Sequence, residues 1–198
     1  MTIGRTNIGA VSINLPLLWE IARYEHPEAI ESTFFEILDD RMELIRQFLL
    51  KRYDNMANMP ASSNPLAFTQ GGFYKGFKHP DEKVGELTEY MTASFGYIGL
   101  DELTREARGR SLFADHGEFA AKVLKHMNEN IARYKAEDHK LFALYGTPAE
   151  SYCSTAASQV RKYLDSIGEH ERAVKVPEYF TNSSNKVTHY GDVMLKTM

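Results

Sequence analysis

Three short apolar runs, 8–15, 92–99 and 141–145, alternate along the chain with stretches of helical periodicity. Residues 177–182 add a candidate fourth run. That order, strand then helices repeated, argues for an α/β architecture with parallel strands joined by right-handed crossovers. Sites in such folds gather at the carboxyl ends of the strands. Asn14 with Pro16, Gly96 with Gly99, and Gly146 with Thr147 fall at those ends.

The third strand end carries the most local information. Leu141 to Tyr145 is apolar and aromatic, and Gly146 permits a sharp change of direction. Thr147 suits an N-cap, Pro148 suits the first helical position, and Glu150 completes a capping box three residues after Thr147. A strand feeding a glycine turn and a helix N-terminus gathers free backbone N–H groups at one point, where an anion such as phosphate is favoured. On geometry alone a well-capped helix that binds nothing accounts for the same residues.

The intervening segments read as helices. Asn14 and Pro16 open a short one that runs to about Tyr24. A long one follows from about Pro27 to Asn55, striped by Phe35, Leu38, Met42, Ile45, Leu49 and Tyr53, with Phe34, Ile37 and Phe48 widening the stripe. Residues 66–81, rich in glycine and aromatics, show neither period and read as a packed irregular loop. Helices are expected over about 100–108, over about 117–136, and from Thr147 to near Gly168. The last should bury Tyr152, Ala156, Val160, Tyr163 and Leu164.

Composition bounds the function classes. The chain has 198 residues, a net charge of -4, 43% hydrophobic residues and 25% charged residues, an ordinary globular balance with no general attraction for nucleic acid or a membrane surface. No apolar run nears the roughly 20 residues that cross a bilayer, and no secretory signal is visible. The sole cysteine, Cys153, excludes an internal disulfide and makes a reducing, cytoplasmic setting the default. No histidine pair or Cys-x-x-Cys offers metal spacing, and there is no P-loop. Cys153 reads as a small buried structural residue, and His126 and His139 as surface or helix-end residues.

Four stretches, in order, carry a resemblance. They are Gly4-Arg5-Thr6-Asn7-Ile8-Gly9-Ala10-Val11-Ser12-Ile13-Asn14-Leu15-Pro16, Ser94-Phe95-Gly96-Tyr97-Ile98-Gly99-Leu100, Tyr145-Gly146-Thr147-Pro148-Ala149-Glu150-Ser151, and Tyr179-Phe180-Thr181-Asn182-Ser183. Together they resemble motifs of the anaerobic (class III) ribonucleoside-triphosphate reductases, which are glycyl-radical enzymes, over nearly the whole chain to about Ser183. The resemblance implies a helix-rich α/β fold forming part of a ten-stranded α/β barrel over residues 1–183, followed by a loosely ordered polar tail over 184–198.

It also implies roles. Asn7 matches the asparagine that orients the substrate ribose. Tyr145, Gly146, Thr147, Pro148, Ala149, Glu150 and Ser151 match the loop that holds substrate phosphates. A carboxylate at Glu150 opposes an anion unless it turns back onto the Thr147 N–H. The family's thiyl-radical cysteine precedes the motif that starts at Gly4, and Cys153 does not match it. Its glycyl-radical segment and four-cysteine structural zinc lie beyond the last motif, so no cofactor is expected on this chain, and no metal. After Asn182-Ser183 the chain continues Ser184-Asn185, where the family has Phe-His. The implied partners are a ribonucleoside triphosphate, the remaining reductase polypeptide, a radical-SAM activating enzyme and, for an unclosed barrel, a second copy. A non-catalytic, self-associating protein derived from a broken barrel is the alternative.

Overall fold

The computed structural model describes residues 6–70 and 78–181, with the side chain of Glu150 excepted. The elements are β1 (Thr6–Asn14), α1 (Leu15–Glu25), α2 (Ile30–Asn58), β2 (Met91–Ile98), α3 (Leu100–Arg108), α4 (Glu118–Asp138), β3 (Leu141–Gly146), α5 (Glu150–Ser166) and α6 (His170–Lys175). The strands form a parallel sheet in the order β1-β2-β3. Helices lie between consecutive strands, as parallel pairing requires. The α/β, helix-rich class read from the sequence is therefore observed.

The described residues pack as two compact units, one built from 6–11, 42–70, 78–95 and 130–144, the other from 12–41, 96–129 and 145–181. The first unit is centred on aromatics. Phe95 meets Tyr134 at 5.9 Å and Phe142 at 5.5 Å between ring centroids. The Tyr53 hydroxyl donates to the Met91 carbonyl at 2.7 Å, with the Leu141 carbonyl 3.1 Å away. That buried hydroxyl is thus satisfied by strand-end carbonyls. Arg46 lies 4.7 Å over the Tyr134 ring and grips both oxygens of Asp138.

The second unit has two cores. In one, Trp19 stands between Phe34 and Phe119, at 5.5 and 5.8 Å. In the other, Ile98, Cys153, Ala156, Ala157, Val160, Leu164, Ala173 and Phe180 are packed together. Cys153 is buried, as its small apolar neighbours would dictate. Asn14 caps α1 as expected, accepting the Leu17 N–H at 3.4 Å, and its amide also donates to the Ala156 carbonyl and the Gln159 side chain on α5.

Several expectations shift. The long helix is Ile30–Asn58, and its buried seam takes Phe34, while Phe48 is exposed and Phe35 only half-buried. Tyr152 and Tyr163 are half-buried, and Cys153 and Ala157 fill the α5 seam with Ala156, Val160 and Leu164. The helix before β3 ends at Asp138 and α5 ends at Ser166. The short α6 has no counterpart in the sequence reading. Residues 177–181 form no strand: the Phe180 N–H goes to the Cys153 carbonyl on a helix, so no ladder develops. The irregular loop at 66–81 opens with a π-helical turn, Leu66–Gln70, and its glycine-rich centre lies outside the described residues, as does the tail over 184–198.

Candidate functional site

Three strand ends of the second unit meet at one point. Ser12 near the end of β1 and Thr147 just after β3 bring their hydroxyls to 2.6 Å. Gly96 of β2 lies against them. A Cβ there would stand 2.6 Å from the Ser12 oxygen, nearer still to the Thr147 oxygen, and 3.1 Å from the Tyr145 ring. Glycine suits this position by space, because a Cβ would overlap both hydroxyl oxygens. Thr147 is buried and its N–H donates to the Tyr97 carbonyl at 3.0 Å, which extends the strand pairing one residue past β3.

That pairing corrects the turn as read from sequence. The capping box does not form. Helix α5 starts at Glu150, its N-cap is Ala149, and no side chain caps it. Thr147 stays extended because its N–H and hydroxyl have found partners on β2 and β1, which outweigh a local cap worth only about 1 kcal/mol. Pro148 consequently precedes the helix instead of opening it, and Gly146 is the last residue of β3 with no left-handed φ. Among Gly96, Gly99 and Gly146 at the strand ends, the left-handed one is Gly99, at φ 76°, where β2 passes into α3. Tyr145 and Gly146 are half-buried, and Pro148, Ala149 and Ser151 are exposed. In the first turn of α5 the Tyr152 N–H donates to the Ala149 carbonyl at 3.1 Å, which leaves the Glu150 and Ser151 N–H groups without an intrahelical acceptor by helix geometry.

Asn7 belongs to the first unit. Its amide nitrogen donates to the Ser94 hydroxyl at 2.6 Å, and its amide oxygen accepts the Gly9 N–H at 2.9 Å. These bonds fix the plane of an exposed amide that retains one further donor and one further acceptor site. Arg52 lies beside Gly9 and donates to the Ile8 carbonyl at 2.7 and 3.1 Å. No local pattern pointed to Arg52, since it comes from the far end of α2.

The second unit also holds a cavity of about 400 Å³ lined by residues of α1, α3, α5, α6 and the segment after α6. Its ionic groups are largely matched. Arg172 binds Glu20 at 2.6 Å, Arg105 binds Asp101 at 2.7 Å, and Glu102 accepts from Thr181. Burial pushes the carboxyls of Glu20 and Glu102 above the usual glutamate range. The Glu102 contact could not be read from sequence, because Thr181 is 79 residues away.

Among the described residues no cluster of three or more His, Cys, Asp or Glu is placed to hold a metal, and no helix is long and apolar enough to cross a membrane. A four-thiolate zinc site does not fit the residues present, because the one cysteine is enclosed in the α5 core.

The architecture is that of a helix-rich α/β protein built on a parallel sheet, with polar side chains converging at strand ends of the second unit. The sequence model of one family, described as anaerobic ribonucleoside-triphosphate reductase, matches residues 1–198, and the chain belongs to that family. Reductases of that description from Haemophilus influenzae, Escherichia coli and Enterobacteria phage T4 are 28%, 30% and 30% identical over 91%, 76% and 76% of this chain. The matches span 25%, 21% and 24% of those proteins, so the chain is about a quarter of their length. The fold is similar to the anaerobic ribonucleotide reductase of Thermotoga maritima, crystallised with citrate in the active site, with a TM-score of 0.57, 16% identity, and coverage of 91% of this chain and 31% of that one.

Proposed function

We propose that this chain is the substrate-side portion of an anaerobic ribonucleoside-triphosphate reductase, forming several strands and outer helices of a ten-stranded barrel. The observation that carries the reading is the family match along all 198 residues, over about a quarter of its relatives' length, with the strand-end polar groups falling inside the matched motifs. Asn7 would orient a ribose through the free side of its fixed amide. The Tyr145–Ser151 turn would receive phosphates through the Glu150 and Ser151 N–H groups at the start of α5 and the Thr147 hydroxyl. Because the Thr147 N–H is engaged by Tyr97, it is left out of that set. The radical step is assigned to no residue of this chain. It would come from a partner polypeptide bearing the thiyl cysteine and the glycyl radical, charged by a radical-SAM activating enzyme in the cytoplasm.

Isothermal calorimetry with a ribonucleoside triphosphate tests the reading. Binding by the wild-type chain, weakened separately by Asn7→Ala and by Thr147→Ala with the fold intact by circular dichroism, is the expected result. Absence of binding would overturn it. Turnover by the isolated chain with activating enzyme and formate would sink the need for a partner.

A self-associating, non-catalytic role is the second reading. What favours it is the exposure of Leu44 and Phe48, one turn apart on α2, at 58% and 49%. Light scattering that finds a stable dimer, together with no nucleotide heat, would select it.

A further inference from the structure

The Ser12–Thr147 contact leaves a proton to spare. Two hydroxyls bring two O–H donors, and only one lies between the oxygens. The other has no acceptor among the described residues; Thr147 is 3% exposed and Ser12 is half-buried. That donor is unmet within the described residues, so water at the half-buried Ser12 side or a ligand oxygen supplies its acceptor. The glycine at position 96 leaves room for the pair, since a Cβ there would overlap both oxygens and force them to shift. The spare donor is uncharged and does not titrate, so it is presented at every working pH.

Resting on the phosphate reading of the neighbouring turn, we infer that Ser12 is a further substrate-contacting residue: the Ser12–Thr147 pair donates its unshared proton to an anionic phosphate oxygen. Ser12 lies on β1, outside the turn, and reaches the site only through the sheet. Helix α5 contributes the positive end of its dipole to the same anion. Gly96 then acts as a positioning residue, keeping the two oxygens in contact.

The test is calorimetry on the full chain with inorganic tripolyphosphate, a ribonucleoside triphosphate and the bare ribonucleoside. Ser12→Ala should weaken the first two by about tenfold, the size expected for one hydrogen bond to a charged group. It should leave the bare nucleoside unchanged, and Ser12→Thr should restore affinity. Gly96→Ala should weaken the same two probes. Unchanged tripolyphosphate affinity in Ser12→Ala, while Thr147→Ala loses it, overturns the assignment of Ser12 and leaves the phosphate reading standing. Loss of nucleoside binding alone moves Ser12 to the ribose and overturns the phosphate contact. A wild-type chain that binds neither anion overturns the phosphate reading itself and Ser12 with it.

Discussion

The carboxylate of Glu102 on α3 receives both the backbone N–H and the hydroxyl of Thr181, at 2.9 and 2.7 Å. The Thr181 carbonyl in turn accepts the Gly99 N–H at 3.1 Å. These bonds fasten the last motif to the end of β2 without any strand pairing. Burial raises the Glu102 pKa above the ordinary 4.5, and the bonds from Thr181 offset that only in part.

The sign of the pH effect follows from that shift. A carboxyl with a raised folded-state pKa contributes stability that is fully present below about 4.5 and is lost as pH rises through the folded value. Glu102→Gln keeps an acceptor for the N–H and can donate to the hydroxyl oxygen, while removing the buried charge. Its melting temperature should match or exceed wild type at pH 7, and the difference should shrink towards pH 4. Glu102→Ala strands two donors and should lose about 1–3 kcal/mol. Thermal melts of the three proteins from pH 4 to 8 decide the matter; a wild-type-to-Gln difference flat across that range would count against it. Glu20 shifts in the same direction, so only the comparison between variants isolates Glu102.

Asp115 should behave in the opposite sense. It accepts the Phe119 N–H at 2.9 Å in the first turn of α4, and the Arg110 guanidinium at 2.7 and 2.9 Å. The Phe119 bond first, and Arg110 with it, hold its carboxyl below the usual 3.8. Its contribution is therefore present above 3.8 and lost as pH falls through the lower folded value. Asp115→Ala should cost about 1–2 kcal/mol at pH 7, as expected for loss of a helix cap. Asp115→Asn should flatten the acid end of the stability curve, followed by denaturant titration at pH 3 and pH 7.

Two glycines with the same backbone twist should respond differently to alanine. Gly99 and Gly109 have φ of 76° and 68°. A Cβ on Gly109 meets open space, whereas one on Gly99 would stand 2.6 Å from the Pro16 ring. Gly109→Ala should cost about 1 kcal/mol, the left-handed strain alone. Gly99→Ala should cost about 2–4 kcal/mol, adding the displacement of a packed ring. Urea unfolding of both variants compares them directly, and equal costs would remove the role given to Pro16.

Arg46 should not tolerate lysine. Its guanidinium meets both oxygens of Asp138 at 2.7 Å and Glu137 at 2.8 Å, and lies over Tyr134. Lysine keeps the charge but offers neither the two-pronged geometry nor the flat face. Arg46→Lys should lose about 1–3 kcal/mol. Because the side chain is only 14% exposed, the loss should persist in 0.5 M salt. Full recovery of wild-type stability in salt would mark the contact as a simple surface pair.

Much of this arrangement was legible in the residues. The three strands, the Asn14 cap, the α3 boundaries and the burial of Cys153 all follow from local pattern, because apolar periodicity and cap chemistry act within a few residues. The Leu141–Ser151 stretch shows where that logic stops. Its strand was readable; its cap was not, because Thr147 answers to Ser12, which is 135 residues distant.

Local pattern was enough for the α/β class, for the ends of the three strands and for the family to which they belong. Packing in three dimensions settled which polar groups share a strand end, that Thr147 pairs instead of capping, that Glu102 holds Thr181, and that Gly96 leaves room for two hydroxyls. The physical reason is range. Backbone preference is set by neighbours along the chain, whereas hydrogen-bond partners are set by which strands and helices the core brings side by side.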